Sequence, residues 1–133
     1  MQELFVRTDK KLISTLPRYT FGGRIIVVQS ESEANRAVAY LRTQKIVGID
    51  TETRPSFRRG QQHKVALIQI ATPDICFLFR LNYMGFPESL VNLLEDAQIA
   101  KVGLSLKDDT HQLTQRHPGF TPKHFIDLQQ MAS

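Results

Sequence analysis

The period of the apolar positions changes from one stretch of this chain to the next, and the changes mark out its elements. After Gly22-Gly23, the β-branched run Ile25-Ile26-Val27-Val28 predicts a strand. From Ser32 on, Ala34, Ala37, Val38 and Leu41 recur at i, i+3, i+4 and i+7, which predicts a helix to about Gln44 with Glu31, Glu33, Asn35 and Arg36 facing water. Upstream, Thr8 is placed to cap a short helix over residues 9–16 that Pro17 stops. Ile46-Val47-Gly48-Ile49-Asp50 predicts a central strand whose apolar run ends abruptly in charge, with a polar loop from there to His63. Residues 65–71 and 75–79 predict two strands joined through Thr72-Pro73-Asp74 as an antiparallel hairpin.

Pro87 at a first helical turn, with Leu90, Leu93, Leu94 and Ala97 on one face, predicts a helix ending near Gln98. Residues 100–104 then form a strand returning to the sheet. Ser105 precedes a short helix through His111 and Leu113, closed by His117-Pro118-Gly119. Phe125-Ile126-Asp127-Leu128 is a last short strand or the entry to a further helix. The order α, β, α, β, β, β, α, β, α, β predicts a layered α/β domain with a mixed sheet.

Composition narrows the picture by exclusion. The 133 residues suit one domain, and 41% apolar with 23% charged residues argues against a disordered or fibrous chain. No apolar run approaches the roughly 20 residues of a membrane helix, and the start lacks a secretory pattern, so a soluble intracellular, cytoplasmic protein is expected. The single cysteine, Cys76, lies in an apolar run and is expected to be buried and inert; intrachain disulfides and cysteine-ligated zinc are excluded. A formal charge of +4 does not by itself mark a nucleic-acid binder.

Chemistry enters with the carboxylates. Asp50 and Glu52 stand two apart at the end of the expected strand, so they point to the same side and can reach one ion. A hard divalent cation prefers oxygen ligands, and two such ions about 3.5–4 Å apart can hold both the attacking and the leaving oxygen of a phosphodiester. Two carboxylates do not complete such a site. Asp109 is the third candidate, just inside a helix that follows a strand returning to the sheet, whereas Asp108 better suits a first-turn carboxylate favoured by the helix dipole.

Residues 47–60, three further residues, and then Lys64-Val65-Ala66-Leu67-Ile68-Gln69 resemble the first exonuclease motif of the DEDD superfamily. The loop spacing is closest to the Werner-type member of the ribonuclease D and Werner exonuclease group. Lys101-Val102-Gly103 with Asp109 and Leu113 is similar to the second motif. The resemblance implies a ribonuclease H-like mixed β-sheet flanked by helices, and removal of nucleotides from a 3' end of DNA or RNA with two Mg²⁺ or Mn²⁺ ions. It implies that Asp50 is the carboxylate shared by both ions, that Glu52 binds the ion activating water, and that Asp109 binds nearer the second ion. Backbone groups near Thr51 and the side chain of Leu67 are placed to border the terminal nucleotide, although Leu67 fits a core position equally well.

Departures from the family pattern shape two further expectations. Thr53 and Ser56 stand where the Werner-type domain has a tryptophan and a bulky apolar residue, leaving Phe57 to pack against a terminal base. The family's third motif is a Tyr or His followed four residues later by Asp, and none of the three tyrosines and four histidines here has Asp at that offset. Asp127 comes three after His124 and fits a structural cap better. The expectation is therefore a single exonuclease domain over residues 1–133, with a 1–22 arm or short helix and a 23–133 core, C-terminally incomplete, lacking its terminal helices and impaired in activity. Apolar sheet surface uncovered in this way would favour self-association.

Arg54, Arg58, Arg59 and Lys64, with His63, fall in the loop beside the carboxylates, where they would offset repulsion of a polyanion and bind phosphates without sequence preference. Two other readings compete. A phosphatase with a strand-end Asp-x-Asp-x-Thr nucleophile is imitated by Asp50-Thr51-Glu52-Thr53, but Glu52 replaces its second Asp and the expected hairpin breaks that architecture. A non-catalytic nucleic-acid-binding or interaction module on the same fold stays open while the fourth carboxylate is missing.

Overall fold

The computed structural model describes residues 23–53 and 65–131. The expected helix over residues 9–16 and the basic loop, including Arg54, Phe57, Arg58, Arg59, His63 and Lys64, lie outside them.

Six strands, β1 (Arg24–Val28), β2 (Ile46–Thr53), β3 (Val65–Ala71), β4 (Ile75–Arg80), β5 (Ala100–Gly103) and β6 (Phe125–Asp127), form one sheet in the order β1-β4-β3-β2-β5-β6. β2, β3 and β4 pair antiparallel, while β1 on β4, β5 on β2 and β6 on β5 are parallel. The hairpin turn forms at Thr72, whose hydroxyl accepts the amides of Asp74 and Ile75 and whose own amide donates to the Ile75 carbonyl at 2.8 Å.

Helix α1 (Glu31–Leu41) starts one residue earlier than Ser32, because Ser30 and Glu33 close a capping box. It buries Ala34, Ala37, Val38 and Leu41, the face its spacing predicts. Its end falls at Leu41 and not near Gln44. There the Thr43 and Gln44 amides turn back to the carbonyls of Tyr40 and Leu41, three residues behind, and tighten the last turn.

A one-turn helix α2 (Leu81–Met84), which the pattern did not indicate, leads into α3 (Glu88–Leu94). Pro87 is the residue preceding α3 and not part of its first turn, and Val91 takes the buried position expected of Ala97, which is exposed. The helix stops at Leu94 because local polar contacts take over: the Asp96 carboxylate accepts the Gln98 amide at 2.8 Å, and the buried Lys101 ammonium donates to the Asp96 carbonyl at 2.7 Å. Burial pushes the Lys101 pKa down to about 8. Helix α4 (Leu106–Arg116) follows β5, and residues 125–131 realise both readings of the last segment, β6 and then α5 (Leu128–Met131).

Strand alternation sorts the core onto two faces. Val28, Val47, Ile49, Ile68, Ile70, Phe77 and Phe79 pack with the buried faces of α1 and α3 and with Leu106 and Leu113 of α4. A smaller cluster, Leu67, Cys76 and Leu78 with Ile25, Val27 and Ala71, lies on the other face. Cys76 is buried and its thiol is pushed up to about 11 by burial, the inert state expected of it.

Candidate active site

β2 carries the first two carboxylates, and it is longer than the apolar run suggests. Pairing with β3 continues through Thr53 with an irregularity between Glu52 and Thr53, so Asp50-Thr51-Glu52 lies within the strand and not at its end. Register places Asp50 opposite Gln69 and Glu52 opposite Leu67 on β3. By alternation Ile49 and Thr51 face the helix-bearing side, and Asp50 and Glu52 face the other. The Thr51 amide donates to Asp50 Oδ1 at 3.0 Å.

Asp109 arrives by a different route. β5 lies parallel beside β2, and Gly103 ends it against the Ile49 carbonyl, where a Cβ would collide with that oxygen and with the Leu106 side chain. This close approach brings the start of α4 up to β2. Ser105 takes a left-handed turn, φ 56°, and offers α4 no side-chain cap. Asp127 supplies it from β6: its carboxylate accepts the Ser105 amide at 2.9 Å and the Leu106 amide at 3.0 Å. The cap role expected of Asp127 is thus visible. Asp108 is exposed in the first turn, while Asp109 is half-buried and directed inward.

The electrostatics of the three carboxylates are linked. Burial raises the Asp50 pKa and the nearby Glu52 charge raises it further, with the Thr51 amide working the other way. Burial, and then the Asp50 charge, push Asp109 up to about 6, with the Thr51 hydroxyl and amide offsetting part of the increase. Asp109 Oδ2 is buried without a hydrogen-bond partner. The structure thus brings Asp109 near Asp50 and Thr51, and Glu52 near Asp50. Among the described residues, no three His, Cys, Asp or Glu side chains converge as a ready-made ion cage. Mutual repulsion of uncompensated carboxylates opposes such convergence.

The donor set still suits a hard divalent cation. It is all oxygen, its members repel one another, and one buried oxygen lacks any partner. Leu67 is 6% exposed and packs with Cys76 and Leu78, so its visible contacts are those of a core residue. Two polar residues escaped sequence reasoning. Gln69 is 3% exposed with its Nε2 unpartnered, and Gln112, one turn after Asp109 on α4, has a buried unpartnered Oε1. The one visible signal for Gln69 was a lone polar residue inside an apolar strand.

Comparison with known proteins decides what kind of domain this is. Residues 25–133 match the 3'-5' exonuclease family. The chain belongs to that family. An Arabidopsis thaliana 3'-5' exonuclease is 33% identical over 129 residues, covering 88% of this chain and 44% of the relative. The human exonuclease 3'-5' domain-containing protein 2 is 29% identical over 146 residues, covering 98% of this chain and 23% of the relative. This chain therefore spans less than half the length of these curated relatives. The crystal structure of the EXD2 exonuclease domain superposes with a TM-score of 0.70 at 29% identity, covering 81% of this chain and 58% of that one. The Aedes aegypti Nibbler EXO domain gives 0.73 over 87% of this chain and 57% of that one, and at 19% identity speaks to fold alone. The mixed six-stranded sheet flanked by helices is the ribonuclease H-like fold of the exonuclease family, as the resemblance of the two motifs implied. Among the described residues, no helix is long and apolar enough to cross a membrane.

Proposed function

We propose that this chain forms the larger part of a two-metal-ion 3'-5' exonuclease site, in which Asp50, Glu52 and Asp109 hold Mg²⁺ or Mn²⁺ against the 3' end of a nucleic acid. The observation carrying this reading is the unpartnered buried oxygen of Asp109 beside Asp50, two carboxylates whose burial and mutual repulsion ask for a cation. Crystal forms of the EXD2 exonuclease domain soaked in Mg and GMP, and in Mn and dGMP, support the choice of ion and of substrate class. A bound ion supplies a lowered pKa for the attacking water and charge stabilisation for the leaving 3' oxygen.

The chain's own residues have separable tasks. Asp50 lies between Glu52 and Asp109 in the charge network, which supports it as the carboxylate that both ions would share. Glu52, two residues along the strand, would help hold the ion that activates water, and Asp109, on α4, would hold the other. Thr51 fixes the orientation of Asp50 through its amide. Backbone groups at Thr51, with Phe57, would border the terminal nucleotide, and Arg58, Arg59 and Lys64 would bind phosphates; the same role for Leu67 would need its buried side chain to be uncovered. The reading includes a domain that continues past these residues, with a fourth carboxylate outside residues 1–133.

A nuclease assay on 3'- and 5'-labelled single strands of both sugars, with Mg²⁺, Mn²⁺ or EDTA, tests it. EDTA-sensitive release of mononucleotides from the 3' end is the expected result, and it should come from a protein carrying this domain entire. Binding without cleavage would favour the non-catalytic module, and phosphate release from a small phosphomonoester alone would favour the phosphatase. Replacing Arg58 and Arg59 together by Ala should weaken strand binding and flatten the slope of log affinity against log salt by about 1–2, since each phosphate contact releases about one counterion. An unchanged slope would place both arginines outside the phosphate path.

A further inference from the structure

Gln69 is out of character for its position. It sits in mid-strand on β3, 3% exposed, among Leu67, Ile68 and Ile70, and its Nε2 donor has no hydrogen-bond partner. A buried amide donor left unmade costs more than an apolar side chain of the same shape would, so packing alone gives no reason for a glutamine here. Register supplies one. Gln69 is directly opposite Asp50 across the antiparallel β2–β3 pair, and opposed side chains share one face with their Cβ atoms about 4.5–5.5 Å apart. Asp50 already accepts the Thr51 amide at Oδ1 from its own strand. No hydrogen bond joins the two side chains in this structure; the register puts the unpartnered Gln69 donor on the same face as the carboxylate, and a turn about the Gln69 side-chain torsions would have to close the bond when an ion draws Asp50 into place.

We propose that Gln69 is a positioning residue for Asp50: its amide N–H donates to the Asp50 carboxylate and, with the Thr51 amide, fixes the orientation in which that carboxylate meets a divalent ion. The inference rests on the reading of Asp50 as an ion ligand. Groups that orient a ligating carboxylate contribute to metal affinity without touching the metal. They also hold a ligand in place while substrate comes and goes, which a free carboxylate on a strand does not do unaided.

Titration of the 133-residue chain with Mn²⁺, followed by loss of the free-ion electron paramagnetic resonance signal, separates this role from a structural one. Gln69→Met keeps the length of the side chain and removes the donor. Its Mn²⁺ dissociation constant should rise about tenfold or more, while its metal-free melting temperature stays level or rises, because the unmade donor is gone. Gln69→Asn, which keeps a donor on a shorter arm, should recover part of the affinity. Gln69→Leu serves as a second donor-free variant.

Asp50→Asn is measured alongside. If Asp50→Asn weakens Mn²⁺ binding and both donor-free variants bind as wild type does, the positioning role is overturned and the reading of Asp50 stands. If Asp50→Asn itself binds as wild type, the ion-ligand reading falls and this inference falls with it. If neither Gln69→Met nor Gln69→Leu folds, the residue is structural and the proposal is equally overturned.

Discussion

Asp50→Asn in a protein carrying the whole domain should lower exonuclease turnover by about 10³-fold or more, the scale on which a group stabilising developing charge is lost, with the fold retained. The substitution removes charge and adds no bulk, and it acts on both neighbours at once. Glu52 contributes to raising the Asp50 pKa, and Asp50 in turn raises that of Asp109. Asp109→Asn should be strongly impaired for the same reason, and its stability should move the opposite way from its activity. The folded-state pKa of Asp109, about 6, lies above its ordinary 3.8. Its contribution to stability is therefore full below about pH 4 and lost as pH rises through 6, where the buried carboxyl must ionise beside Asp50. Asparagine avoids that ionisation. At pH 7.5 without metal, Asp109→Asn should melt a few degrees above wild type, on the order of 1 kcal/mol after allowing for solvent screening. The difference should close by about pH 4. Activity within a few-fold of wild type, or a lower melting temperature at pH 7.5, would remove Asp109 from the site.

That stability should rise where activity is lost follows from how the site is built, and the same feature explains what the sequence could and could not disclose. Carboxylates on a strand are legible because alternation fixes their side, and Asp109 became legible through its motif. The edges of elements were less so. α1 overran to Gln44 and α3 to Gln98 in the periodic pattern, because their true ends depend on hydrogen bonds donated by Thr43, Gln44, Gln98 and Lys101, the last two to Asp96, that no apolar period records. β2 was cut short at Asp50 because a polar Asp-Thr-Glu looks like a loop until β3 is known to pair with it. Asp127 could be recognised as a cap because its spacing excluded a ligand role by the family pattern. Gln69 and Gln112 could not be recognised at all, since their burial depends on which strand and which helix face lie opposite. The basic loop, plain in the sequence, falls outside the described residues.

The 133-residue chain by itself should bind Mn²⁺ weakly, in about the 10⁻⁴–10⁻³ M range of loosely held carboxylate sites, at no more than one ion, and should degrade nucleic acid poorly or not at all. The three carboxylates do not converge as a set among the described residues, so an ion must draw them together against their repulsion. On the proposed reading, Asp50 and Glu52 alone would hold the water-activating position, and an ion held by two carboxylates on one strand needs better-fixed ligands to bind tightly. Proton competition sharpens the expectation. With Asp109 pushed up to about 6, much of it is protonated at pH 5.5 and little at pH 7.5, so Mn²⁺ affinity should rise across that interval. The self-association expected from uncovered sheet surface finds no exposed patch at Leu67, Cys76 or Leu78, which are buried; sedimentation velocity over a range of concentrations tests it. Titration with Mn²⁺ at the two pH values, beside a 3'-labelled strand assay, decides the matter. Full EDTA-sensitive exonuclease activity from this chain would overturn the argument and require a fourth ligand already present: Asp108 released from the first turn of α4, a residue of a second copy, or Asp127 surrendering the amides of Ser105 and Leu106. The last of these would unfasten the helix that carries Asp109, so it should be accompanied by a fall in melting temperature on metal binding, the reverse of what a preformed site shows.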